Sequence, residues 1–223
     1  HRLIVHGRSK DKLAKIEIIL NELKEGSVVG KYISDFSDLK SVETMANMIL
    51  SEHKNIDVII NNAGIFKTNS PITKDGFDIR FVVNTFAPYL LTHKLLPLVA
   101  ADGRVINLSS AAQASVNLEA LKGKALLDDF EAYAQSKLAI TMWSKHLAYE
   151  LEGTGKVVIA VNPGSLLASK MVKEGFGTAG KDLNIGVKIL TSLALDSEHE
   201  NKSGKYYDND IGAFSSPHND GVN

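Results

Sequence analysis

The sequence contains no cysteine. This excludes a disulfide framework, thiolate metal ligands and a thiol nucleophile. It also lacks a long apolar run: no stretch approaches the ~20 residues of a membrane span, and no signal-type segment opens the chain. Neither sign of charge dominates, with 25 Lys and Arg against 26 Asp and Glu and a net charge of −1. Such a balance offers no basic field for nucleic acid and no polybasic patch for a membrane surface. The histidines, His6, His53, His93, His146, His199 and His218 among them, show no ligand-like spacing, so no metal site is expected. The default compartment is the cytoplasm. Of the 223 residues, 44% are hydrophobic, enough to fill one substantial core, and a single domain over residues 1–223 is expected.

What the chain does have is an alternation. Short apolar, β-branched runs at Arg2–His6, Asp57–Asn61, Arg104–Ser109 and Lys156–Asn162 predict buried parallel strands, with a fifth at Gly204–Asp208. Helical patterns fill the intervals over Lys10–Glu25, Asp38–His53, Asp75–Ala101 and Tyr133–Leu151. Ser37 and Asp38 are cap candidates for the second helix, and Pro88 and Pro97 predict a bend or split in the third. The alternation predicts an α/β fold: a doubly wound, Rossmann-type parallel sheet in three α/β/α layers.

Ligands of such sheets sit beyond the carboxyl ends of the strands. The strand ends here carry Gly7 and Arg8, then Asn61-Asn62-Ala63-Gly64, then Ser109-Ser110, then Pro163-Gly164-Ser165. Taken singly, each has a structural account as a turn former or a cap. Their recurrence at the same end of successive strands marks a ligand crevice. Within the fourth helical pattern, Tyr133 and Lys137 stand four residues apart, so both side chains share one helix face. A free phenol titrates near ~10, and a neighbouring ammonium favours the phenolate. The pair is therefore a candidate proton donor and acceptor.

Taken together, Asn61-Asn62-Ala63-Gly64, Asn84 in Arg80–Ala87, Val105–Ser110, Tyr133-xxx-Lys137 and Pro163-Gly164 resemble the short-chain dehydrogenase/reductase family, in the family's order. Ser136-Lys137-Leu138-Ala139 is similar to its branch of retinol-dehydrogenase-like carbonyl reductases. The resemblance implies hydride transfer between a nicotinamide and a carbonyl or alcohol carbon. It implies a catalytic set of Asn84, Ser110, Tyr133 and Lys137. Tyr133 would exchange the proton of the substrate oxygen, and Ser110 would hold that oxygen. Lys137 would lower the Tyr133 pKa and grip the nicotinamide ribose, while Asn84 would hold a relay water. Asp35, Asn61, Ala63, Gly64, Pro163 and Gly164 are the implied cofactor contacts, with Tyr133 and Lys137. Where the family's NAD-binding members carry an acidic residue, this chain has Arg8, suited to a 2′-phosphate, so NADP(H) is favoured over NAD(H). Pairing of Arg8 with Asp11 is the bland alternative. A small, lipophilic carbonyl or alcohol substrate and a homodimer or homotetramer are also implied. A non-catalytic cofactor-binding sensor, a pseudoenzyme or an inactive fragment is the rival reading.

Two departures from the family stand out. Ser110 and Tyr133 are 23 residues apart, against about 13 in most of the family. The additional segment, about 116–130, is a flap along the cleft or a surface excursion. A second segment, 165–183, carries Gly175, Gly177 and Gly180 with Met171, Val172 and Phe176, and resembles the family's substrate loop. The larger departure is the lack of the family's opening strand, glycine-rich turn and helix, ~30 residues that cradle the pyrophosphate. The first strand here corresponds to the family's second. The sequence is therefore expected to be a fragment, or to omit an N-terminal segment, leaving two strands each with an unpaired edge.

Overall fold

The computed structural model describes residues 1–23 and 26–222. The helix end expected at Glu25, the final residue of the polar tail and the Phe176 side chain lie outside the described residues. The chain begins with a parallel pair, β1 (Arg2–Gly7) and β2 (Ser27–Ile33), joined by α1 (Lys10–Asn21). Ser9 starts α1 by accepting a hydrogen bond from the Lys12 amide. β2 was not among the expected strands. Its sequence, SVVGKYI, is exposed on one face and interrupted by Gly30, which weakens the strand pattern. The glycine is required by packing: a Cβ there would lie 2.9 Å from both His53 Nε2 and the Tyr32 ring.

The remaining strands form one sheet in the order β3 (Ile56–Asn61), β4 (Val99–Leu108), β5 (Val157–Asn162), β6 (Tyr206–Asp208), β7 (Ala213–Ser215). All are parallel except β7, which turns back antiparallel on β6. Side-chain alternation divides the core. Val105 and Val158 face a layer made by α2 (Leu39–Glu52), α4 (Ala87–Leu95) and α6 (Asp129–Glu150). Ile106, Val157, Ile159 and Val161 face α8 (Asn184–Leu195). α2 contributes Val42, Met45, Ala46 and Ile49, the i, i+3, i+4, i+7 stripe of a helix lying on a sheet.

The helix expected over Asp75–Ala101 is much shorter. It runs as α3 (Ile79–Phe81), a π turn (Val82–Phe86), α4 and a 3₁₀ turn (Leu96–Leu98), and β4 already begins at Val99. Proline explains the break: Pro88 has no amide to give the Asn84 carbonyl, and its ring crowds that same carbonyl. α6 starts four residues before Tyr133, earlier than expected, with Asp128 as its cap. The 116–130 segment holds α5 (Leu118–Leu121), capped by Asn117, whose own amide is held by Gln135 of α6 at 2.9 Å. The 165–183 segment holds α7 (Lys170–Phe176).

Among the described residues, β1 pairs only with β2 and β3 only with β4. The strand that the resemblance implies between β1 and β3 is not among them. Ile60 of β3 is 45% exposed, although such a position in a parallel sheet is ordinarily covered. Among the described residues no helix is long and apolar enough to cross a membrane.

Candidate active site

The carboxyl ends of β3, β4 and β5 open toward one face of α6. Buried polar contacts fix that helix against the sheet. Ser109 accepts and donates hydroxyl bonds at 2.6–2.9 Å, reaching the Lys137 carbonyl and Thr141. Asn107 donates to Ser144, and Asn61 donates to both Asn107 and Thr92. The Asn61 side chain is thus internal glue, and only its backbone is available to a ligand. Each polar group in this seam has a partner, which makes the register of α6 on the strands specific.

Lys137 is 5% exposed, and its Nζ donates to the Leu108 carbonyl at 2.7 Å. Nζ lies 5.7 Å from the centre of the Tyr133 ring. A Cβ added at Gly64 would fall 3.6 Å from Nζ and 3.4 Å from Asn84 Oδ1. Gly64, Asn84 and Lys137 therefore converge on one point, and the absence of a side chain at Gly64 keeps it open. Asn84 is 1% exposed; its side chain accepts from the Ile65 amide at 2.8 Å and donates to the Ile65 carbonyl and the Ser136 hydroxyl. The Asn84 side chain is thus committed to the loop and to α6, and Pro88, four residues on, has no amide to give the Asn84 carbonyl.

Ser110 follows β4, and its hydroxyl makes a contact to the Tyr133 phenol that favours the phenolate. Burial outweighs that contact and pushes the phenol up. The same burial pushes Lys137 down to about 8. Burial and the Ser110 contact, rather than Lys137, thus act on the Tyr133 phenol here, while the ammonium is engaged by the Leu108 carbonyl. Phe66 packs tilted on Tyr133 at 5.0 Å between ring centres and edge-on to Phe130 at 6.4 Å. α7 covers Phe66: a Cβ at Gly175 would come 2.7 Å from that ring.

Arg8 and Asp35 both act on the His6 imidazole, so they lie together beyond the ends of β1 and β2. His6 is itself stacked on Phe36 at 4.1 Å. Arg8 is exposed, and no Arg8–Asp11 ion pair forms among the described residues. Asp35 accepts from the Ser37 amide and hydroxyl. Beyond β5, Gly164 adopts φ 126° and Leu166 φ 56°. Asp210 holds this turn through Asn162 and the Ser165 amide at 2.8–2.9 Å. The donor set suits a nicotinamide ribose at Lys137 and an adenosine phosphate at Arg8. No glycine-rich helix start for a pyrophosphate lies among the described residues. Far from this site, at the other end of β4, Asp196, Glu198 and His199 bring their ligand atoms within 4.8 Å of one another. Their spacing gave no metal-binding signal.

A three-layer α/β sheet with its polar residues gathered at the strand carboxyl ends defines the Rossmann-type class. The chain belongs to the short chain dehydrogenase family, whose model matches residues 1–178. It is 33% identical over 193 residues to retinol dehydrogenase 13 of Mus musculus, covering 78% of this chain and 58% of that protein. The chain thus spans little more than half of the curated relatives it matches. A short chain dehydrogenase from Shigella flexneri superposes with a TM-score of 0.73 at 22% identity, over 96% of this chain and 82% of that one. The RhlG–NADP complex of Pseudomonas aeruginosa gives 0.69 at 20% identity, over 92% and 83%.

Proposed function

We propose that this chain carries the catalytic part of an NADP(H)-dependent oxidoreductase acting on a carbonyl or alcohol, with Tyr133 as its acid/base. One observation carries the reading: Tyr133, Lys137, Ser110 and Asn84, drawn from three elements, converge at one mouth of the sheet beside Gly64. A bound nicotinamide would supply or take up the hydride. In the reducing direction the Tyr133 phenol gives its proton to the substrate oxygen, and in the oxidising direction it takes that proton back. Ser110 shares this oxygen and lowers the cost of its developing charge. Lys137 keeps two donors beyond the one given to Leu108, enough to hold ribose hydroxyls. The Asn84 carbonyl holds the water that returns protons to Lys137.

Arg8, exposed and beside Asp35, supports NADP(H) over NAD(H), as do the NADP-bound relatives. Phe66, Phe130, Met171 and Val172 support a lipophilic substrate, which agrees with the retinol dehydrogenase names. Homodimer or homotetramer formation remains part of the reading. The rival reading is a non-catalytic cofactor-binding role of the same fold. Turnover of a carbonyl panel with NADPH and NADH separates the two. Tyr133→Phe is expected to lower kcat by about 10²–10⁴, with the Kd for NADPH, read by fluorescence, changed less than twofold. A Tyr133→Phe enzyme that keeps most of its kcat refutes the assignment, and a preference for NADH refutes the role given to Arg8.

A further inference from the structure

Arg80 is the largest fully buried side chain, 1% exposed. Its Nε and Nη2 donate to the two oxygens of Asp78 at 2.9 and 2.7 Å. Its Nη1 donates to Asp129 Oδ1 at 2.5 Å and to the Phe66 carbonyl at 3.4 Å. These partners are not scattered. Asp129 opens α6 four residues before Tyr133, on the same helix face. Phe66 is the residue whose ring rests on Tyr133.

One turn further along its own segment, Asn84 repeats the grip, binding Ile65 on one side and Ser136 on the other. Thr85 adds a bond to the Ser136 carbonyl at 2.9 Å. Two rungs therefore join the 65–66 loop to α6, and Tyr133 lies between them. Asp78 alone balances the guanidinium charge. The second carboxylate, Asp129, is not needed for neutrality, and its side chain is 47% exposed. A buried arginine satisfied by one aspartate but joined to a second at the start of the helix serves geometry.

We infer that Arg80 is a positioning residue, and that its bond to Asp129 fixes the depth at which the Tyr133 phenol is held against Phe66 and Ser110. The inference rests on the reading of Tyr133 as the acid/base, but its main test does not need turnover. Arg80 variants can fail to fold, so the lever is Asp129→Ala, with Asp129→Glu as the conservative rescue. Glu131→Gln removes another first-turn carboxylate of α6 without touching Arg80, and controls for the helix dipole.

The readout is the ultraviolet titration of Tyr133, taken as the difference between each protein and its own Tyr133→Phe counterpart. Asp129→Ala is expected to bring the phenol titration measurably down from the parent's, toward its ordinary value, as burial loosens. Asp129→Glu and Glu131→Gln are expected to match the parent. In turnover, Asp129→Ala should lose about tenfold in kcat with KM for both substrates within twofold. An Asp129→Ala phenol that titrates with the parent overturns the inference whatever kcat does. A shifted phenol in a protein that shows no turnover upholds it and refutes the oxidoreductase reading instead.

Discussion

Lys137 is a cation held largely out of bulk water, and the site keeps it at some cost. Burial holds its folded pKa at about 8, below the 10.5 of a free lysine. A base with a depressed folded pKa binds fewer protons folded than unfolded between those two values, so stability rises with pH across that window. The penalty is full below pH 8, on the order of 3 kcal/mol, and disappears near pH 10.5. Lys137→Met removes it but leaves the Leu108 carbonyl unpaired, at a cost of about 1–2 kcal/mol. The variant is therefore expected to be at least as stable as the parent in urea at pH 7, while inactive. The advantage should shrink steadily from pH 8 to 10.5. A variant less stable at pH 7 than at pH 10, relative to the parent, contradicts this account. At this scale the sequence was most legible for Tyr133 and Lys137, because a four-residue spacing on a helix is local information. The Arg80–Asp129 bond spans 49 residues and has no local signature, so no periodicity or motif could have shown it.

Among the elements, α7 owes its seat to a missing side chain. Gly175 lies against Phe66, and a Cβ there would fall 2.7 Å from the ring. Gly→Ala inside a helix ordinarily stabilises by about 0.5–1 kcal/mol. Here the same change must push α7 or the Phe66 ring aside, next to Tyr133. Gly175→Ala is expected to raise KM for the carbonyl severalfold while NADPH affinity and Tm stay within error or Tm rises. An unchanged KM removes α7 from the substrate cleft. Element boundaries were legible where the pattern was strong, as in β5 and α2. The split expected at Pro88 and Pro97 is present, but the ends of that pattern were lost, since helix begins only at Ile79 and β4 already at Val99, and Gly30 hid β2. β7 has three residues, too few for alternation to register. The 116–130 segment contains one short capped helix, α5, tied to α6 through Asn117 and Gln135, with Leu126 81% exposed.

At the largest scale, the strands of the described residues form two ladders, β1–β2 and β3–β7. The β1–β2 pair and the five-stranded sheet exchange no strand hydrogen bonds. The chain links them through α2, and side chains pack across the gap, with Ile4 and Tyr32 against α2 and Ile59 in one layer. Native-state hydrogen exchange is expected to show amides of β1 and β2 opening at lower free energy than those of β4 and β5, which are paired on both sides. Equal protection throughout would mean that the packing alone locks the two parts together. Arg8 and Asp35 lie beyond the β1–β2 ladder, and Tyr133 and Lys137 lie beside the five-stranded one. A ligand spanning the two would touch both ladders at once, a tie made outside the strand pairing of the described residues.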